Sequence, residues 1–353
     1  MKDTPITKHD YIDALRGFAI LAVVFYHSLQ WVVPTSGLLN VIAEQGARGV
    51  QFFYVASALT LFLSLGTRKK IETRPVLNFF IRRFFRIAPL FYLAIILYTW
   101  YDGNAPRYFA PNGIQWWYIP LTAFFLNGWL PETINSVVPG GWSIAVEMIF
   151  YLTVPYLFSK LKDVSSTLKF IFISLVASKV FSILAVNFFN PFLQTDQQYL
   201  VTSFSNFPPW FFSQLPVLLW HGHSALSSCH SISRTKLETG MALPLLLSFF
   251  LFFSFLKAET YQTFYPITSC TELYFPFFLV PAFFPAKIFV NKITTLIGKL
   301  SFSIYLVHFI VLKVVGAYIR QTATPCRKFR FPGRLFDYYD PVHCRFIYHL
   351  SSY

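Results

Sequence analysis

The stretch Asp13–Pro34, DALRGFAILAVVFYHSLQWVVP, decides the fold. Most of it is an apolar run of the length that crosses a bilayer as a helix. Asp13, Arg16 and His27 interrupt that run. At about 100° per residue, Arg16 and His27 differ by only about 20° around a helix axis, and Asp13 falls within about 60° of both. The spacing predicts a single helix with a polar stripe on one face. A rise of about 1.5 Å per residue separates Arg16 from His27 by roughly 16 Å along that helix, with Arg16 near one membrane surface and His27 deeper. An ionisable group at membrane depth costs several kcal/mol unless it faces protein or a water-filled cavity, so the stripe reads as a functional site. A charge pair at a helix end plus one hydrogen-bonded core histidine is the plainer alternative.

Composition widens this reading to the whole chain. Of 353 residues, 55% are hydrophobic and only 12% charged, where soluble domains carry about 25%. The mean hydropathy is +0.51. The fold class that follows is all-α, a polytopic membrane helix bundle of about nine or ten transmembrane helices. Candidate spans lie at 14–33, 50–66, 87–101, 142–159, 168–188, 211–221, 241–256, 272–288 and 301–317. The formal charge of +14 is spread in short basic clusters between apolar runs. That is the pattern of cytoplasmic loops, and no nucleic-acid partner is expected. The loop holding Arg68, Lys69, Lys70 and Arg74 is the most basic, which places it and the N-terminus in the cytoplasm. The first apolar run lacks a small-residue cleavage site, so it reads as a span and not a removable leader. The four cysteines, Cys229, Cys270, Cys326 and Cys344, form no ligand motif, and no metal is expected.

Residues 1–317 read as one membrane domain. Within it 221–239, HGHSALSSCHSISRTKLET, breaks an apolar run with polar residues and stands apart. Residues 318–353 form a basic tail without apolar periodicity. A natural external tail, a local frame change or a truncated variant would each produce it, and no function is assigned to either stretch. The segment 102–141, with Trp116, Trp117 and Trp129, reads as an external or re-entrant loop at the interface.

Two further groups carry chemistry. Arg82, Arg83 and Arg86 stand at the cytoplasmic start of the third span, with Arg82 and Arg86 on one helix face. Their plainer task is topology and lipid headgroups; the functional one is a clamp for a phosphorylated cofactor, whose oxygens match guanidinium geometry. Gly140-Gly141-Trp142-Ser143 leads into a span where Ser143, Glu147 and Tyr151 share a face at i, i+4 and i+8. Glu147 could orient a histidine, bind a substrate hydroxyl, or pair with Arg16 or Arg48. His308, alone in the last span, reads as a packing residue. Phosphate-binding, nucleophile-elbow, zinc-protease and dinucleotide motifs are absent.

Taken in order, YIDALRGFAILAVVFYHS, GVQFFYVASALTLFL, IRRFFRIAPLFYLA, GGWSIAVEMIFYLTVPYLF and GKLSFSIYLVHFIVL resemble the acyltransferase-3 family of bacterial membrane O-acyltransferases. The resemblance covers roughly residues 10–215 and 270–317. It implies transfer of an acyl group, usually acetyl from acetyl-CoA, to a hydroxyl of a cell-envelope or extracellular glycan at the bacterial inner membrane. It also implies that Arg16 and His27 are the essential pair, with Asp13 beside them. Arg82, Arg83 and Arg86 would be the cofactor-side cluster, and Glu147 the glutamate of the Trp-Ser segment. Ala56-Ser57-Ala58 departs from the family, where many members carry a Ser-Gly pair. The expected partners are acyl-CoA, a glycan acceptor and the bilayer. A proton-coupled transporter or flippase, or an inactive degenerate member, are the alternatives.

Overall fold

A computed structural model describes residues 8–29, 39, 43, 46–206, 214–220, 222–223 and 289–322. Its first helix, α1 (Lys8–Ser28), carries the whole Asp13–His27 stripe without a break. It is followed by α2 (Gly49–Arg68), α3 (Pro75–Asp102), the short α4 (Tyr118–Ala123), α5 (Gly141–Lys160), α6 (Val164–Phe189), α7 (Gln198–Asn206) and α8 (Lys292–Thr322). No strand occurs among the described residues beyond one isolated bridge, Arg107 to Ala110. The protein is an all-α membrane helix bundle. Among the described residues four helices are long and apolar enough to cross a membrane: Gly49–Arg68, Gly141–Lys160, Val164–Phe192 and Lys292–Tyr318. At 21 and 28 residues α1 and α3 are of comparable length, and each carries Arg residues in its N-terminal half. Of the expected span at 211–221, residues 214–220 are helical. The spans expected at 241–256 and 272–288, nearly all of 221–239, and the chain beyond 322 lie outside the described residues. α8 itself continues through 318–322, into the stretch set apart as a tail.

Local chemistry sets the helix ends. Pro75 opens α3, where its missing N–H costs nothing. The Asp163 carboxylate accepts from the Ser166 N–H at 2.6 Å at the start of α6. The Asn291 side chain accepts from the N–H groups of Ile293 and Thr294 at 2.9 and 3.0 Å at the start of α8. Gly140, at φ +80°, turns the chain into α5, and a Cβ there would meet the Tyr305 hydroxyl at 2.7 Å. Only glycine suits both demands.

Inside a bilayer, helices gain little from hiding apolar surface from lipid, so close van der Waals packing must hold them together. The most extensive contact among the described residues, α1 against α8, shows how. A Cβ on Gly298 would overlap the Asp13 carbonyl oxygen, and one on Gly17 would overlap the Thr294 carbonyl oxygen. The two backbones approach until no side chain fits between them. From there the helices run parallel, and His27 comes level with His308 and Phe309. Tyr98 of α3 ties into this pair by donating to the Leu306 carbonyl at 2.8 Å. Tyr54, Phe62, Phe91 and Phe150 fill the space between α2, α3 and α5.

The bundle therefore has two chemically distinct ends. One collects Asp13 and Arg16, the end of α2 at Arg68, the Arg82–Arg86 turn and Lys160. The other carries the 103–140 loop, folded on itself by Arg107, which donates to the Gly103 and Ser136 carbonyls at 2.6 and 3.2 Å. Trp100 and Trp116, 79% and 81% exposed among the described residues, stand at this second end, where an interfacial aromatic girdle belongs.

Candidate active site

A cavity lies between α1, α2, α3, α5 and α8, and α5 supplies its ladder of polar groups. Ser143, Glu147 and Tyr151 line it on successive turns. The Glu147 carboxylate accepts from the Ser57 hydroxyl at 2.7 Å and from the Tyr151 hydroxyl at 2.5 Å. One turn nearer the loop end, the Ser143 and Tyr305 hydroxyls lie 2.8 Å apart. Each also lies within donating reach of the Gly140 carbonyl, at 2.9 and 3.0 Å. The Tyr54 hydroxyl donates to the Ser143 carbonyl at 3.3 Å. Glu147 thus takes two hydroxyl partners, and no ion pair joins it to Arg16 among the described residues.

The opposite end of the cavity is cationic. Arg16, only 9% exposed, lines it together with Arg83 and Arg86. Arg16 is fixed from two sides: its guanidinium donates to Asp13 at 3.3 Å and to the Thr60 hydroxyl at 2.9 Å. Asp13 therefore stands behind Arg16 and outside the cavity lining. Arg83 lies 5.7 Å from the Phe79 ring centroid, and neither Arg83 nor Arg86 makes an ion pair among the described residues. Arg82, the residue before Arg83 in sequence, turns away and donates to both oxygens of Glu72 at 2.9 and 3.1 Å. The arginine cluster is thereby divided. Arg83 and Arg86 face the cavity, and Arg82 braces the loop between α2 and α3. Three guanidiniums against one carboxylate make this end a site for an anion.

His27 lies beyond the Tyr305 end of the cavity and is not part of its lining. Its ring packs against His308, Phe309 and Tyr26, with centroids 5.4, 4.4 and 5.1 Å away. Its Nδ1 is buried without a partner among the described residues. His308 in turn stands 5.6 Å from the Tyr305 ring. The stripe on α1 thus serves two places, Arg16 at the cationic end and His27 past the hydroxyl end.

Three residues at the cavity carried no functional reading in the sequence, Ser57, Tyr54 and Tyr305, and His308 read there as a packing residue. Ser57 appeared only as a departure from a family pattern, although a hydroxyl facing a helix neighbour is the signal that finds it. Tyr54 and Tyr305 carried no mark distinguishing them from 18 other tyrosines of the chain's 20. No group of three or more His, Cys, Asp or Glu side chains that could hold a metal occurs among the described residues.

Comparison with known proteins agrees with this architecture. Residues 9–336 match the family model described as an acyltransferase domain. The peptidoglycan O-acetyltransferase OatA of Listeria monocytogenes is 29% identical over 161 residues, 41% of this chain and 23% of that protein. A Staphylococcus aureus (strain COL) protein named for O-acetyltransferase activity is 25% identical over 330 residues, 87% of this chain and 51% of its own length. The O-acetyltransferase OatA of Staphylococcus aureus is 27% identical over 159 residues, 41% of this chain and 24% of that protein. The chain spans about half the length, or less, of the curated relatives it matches. No solved structure matches it. With the family model matched over nearly its whole length, the chain belongs to the acyltransferase-3 family.

Proposed function

We propose that the chain is a membrane O-acyltransferase that moves an acyl group, acetyl from acetyl-CoA, to a hydroxyl of a cell-envelope carbohydrate. The single observation that carries this reading is the separation of charge from base. Arg16, Arg83 and Arg86 offer an anion site at one end, and His27 lies eleven residues further along α1, about 16 Å away. A donor bridging that distance must be extended, with anionic groups at one end and a reactive carbonyl at the other. An acyl-CoA has that form.

The chemistry then follows from the side chains. The guanidiniums hold the donor's phosphates, for which their planar forks are suited. The Ser57–Glu147–Tyr151 cluster fixes the cavity wall along the donor's arm. His27, whose ring nitrogen can accept a proton, takes the proton of the acceptor hydroxyl. The hydroxyl oxygen bonds to the thioester carbonyl carbon, the carbon–sulfur bond breaks, and the departing thiolate takes up a proton. The acceptor arrives from the loop end and the donor from the basic end, which sets the N-terminus and the basic loops in the cytoplasm of a bacterial cell.

The test is release of free CoA from acetyl-CoA by the purified protein in lipid nanodiscs, with membrane polysaccharide as acceptor. Release should require the acceptor and fall about 10²- to 10⁴-fold in His27→Ala, the usual range for losing a general base. Wild-type release by His27→Ala would overturn the role of His27. No release by well-folded protein would overturn the transferase reading and make proton-coupled solute uptake into vesicles the next measurement.

A further inference from the structure

His308 has a geometry that a packing residue does not need. It is 3% exposed. Its Nδ1 lies 2.6 Å from the Tyr305 carbonyl oxygen. A carbonyl only accepts, so Nδ1 must carry the hydrogen and donate it. In the neutral ring that leaves Nε2 with a bare lone pair, and Nε2 is buried without a partner among the described residues. The adjacent ring, His27, also has a buried and partnerless nitrogen, Nδ1. Two orphaned nitrogens in neighbouring rings are uncommon, because each buried polar group left unbonded costs about 1–3 kcal/mol.

The two rings are close enough to satisfy each other. Their centroids are 5.4 Å apart and their planes tilted by 41°. A ring nitrogen sits about 1.2 Å from its centroid, so nitrogens aimed at one another would stand about 3 Å apart, a hydrogen-bond length. The surroundings leave few competitors: Phe309 packs 4.4 Å from His27 and 4.1 Å from His308, and it has no polar atom.

We infer that His308 is a positioning residue for His27, accepting the His27 Nδ1–H on its own Nε2 and so leaving the His27 Nε2 lone pair free to act as the base. The Tyr305 carbonyl orients His308, and His308 orients His27. A histidine whose one nitrogen is held as a donor presents the other as an acceptor. When His27 Nε2 takes the proton of the acceptor hydroxyl, the Nδ1–H is already bonded to His308, and the new charge is shared across that bond. No oxidant, metal or second cofactor enters. This inference rests on the reading of His27 as the base.

The experiment separates the two ideas. ¹⁵N-histidine-labelled protein in nanodiscs, with His27 and His308 signals assigned by single substitution, reports which ring nitrogen carries each proton, with no reaction needed. Both rings should carry it on Nδ1, and the His27 signal should lose that preference in His308→Asn. Asn retains a donor for the Tyr305 carbonyl but has nothing in place of Nε2, whereas Gln can place an amide oxygen there. His308→Asn should therefore lower kcat about 10²-fold with KM for acetyl-CoA within about two-fold, and His308→Gln should recover at least about ten-fold of that loss. A His27 proton on Nε2 in the unsubstituted protein would overturn the inference, as would equal activity of the Asn and Gln variants. If no acyl transfer is found with any acyl-CoA, the proton positions alone decide the pairing, and only the transferase reading falls.

Discussion

Arg82 and Arg83 are consecutive in sequence and identical in chemistry, yet they do opposite things. Arg82 ends on Glu72, which also accepts from Arg68 at 2.9 Å and Asn78 at 3.1 Å. Its charge is consumed within the loop. Arg83 turns about 100° further round α3 and faces the cavity beside Arg86 and Arg16. The far end of the bundle repeats the first arrangement: Asp102 takes Lys313 at 2.6 Å and Arg107 at 3.8 Å. Paired cations in this protein brace junctions between elements. Arg83 and Arg86, without an acidic partner among the described residues, face the cavity, and Arg16 joins them there although Asp13 holds it from behind; a guanidinium facing that space is available to a ligand.

The sharpest way to break this contrast is to remove the two free charges. In the double variant Arg83→Gln/Arg86→Gln, KM for acetyl-CoA should rise by about 10-fold or more for each guanidinium lost, as expected for hydrogen bonds to a charged group. The kcat should change little, because neither residue reaches the histidine end. Arg83→Lys/Arg86→Lys should fall between, since it keeps charge and loses the bidentate fork. Steady-state kinetics on the three proteins checks this, and an unchanged KM in the double glutamine variant would end the idea of an anion-binding end.

The contrast also explains what the sequence could and could not reveal. The α1 stripe, the shared face of Ser143, Glu147 and Tyr151, and the membrane bundle were all legible, because each follows from one helix read by itself at 3.6 residues per turn. The division of the arginine cluster was not. Spacing grouped Arg82 with Arg86, but the position of Glu72, six residues before Asn78 and across a turn, draws Arg82 off and leaves Arg83 with Arg86. His308 and Ser57 were illegible for the same reason. A lone histidine in an apolar helix looks like packing until a second helix brings His27 alongside it. Ser57 looks like a neutral replacement until α5 brings Glu147 within 2.7 Å. Meaning in a membrane helix comes from its neighbour, and parallel packing at Gly17 and Gly298 is what fixes that neighbour here.

A smaller effect is expected from the paired arginine. Arg82→Gln should leave KM for acetyl-CoA within about two-fold of wild type and lower the thermal midpoint by about 2 °C or less, the scale of a surface ion pair. Thermal unfolding in nanodiscs alongside the kinetic assay reads both quantities. A rise in KM matching that of the Arg83/Arg86 variant would erase the distinction between the two neighbours.

The smallest effect is the pH dependence of the brace itself. Hydrogen bonding from Arg68, with Asn78 and Arg82 adding to it, holds the Glu72 carboxyl below its ordinary value of 4.5. A carboxyl whose folded-state value is depressed stabilises the fold above its unfolded value, and that contribution is lost as pH falls through the folded value. The thermal midpoint of the native chain should therefore exceed that of Glu72→Gln by a constant small margin at neutral pH. The margin should begin to shrink as pH drops below 4.5, where protonation starts to make the native residue as neutral as glutamine. Salt should narrow it as well, because the pairs lie in the loop outside the membrane, where ions screen them. A margin that stayed constant across that range would mean that Glu72 holds the loop through shape and not charge. Arg82 would then be free in the same sense as Arg83, and the contrast between the two neighbours would rest on position alone.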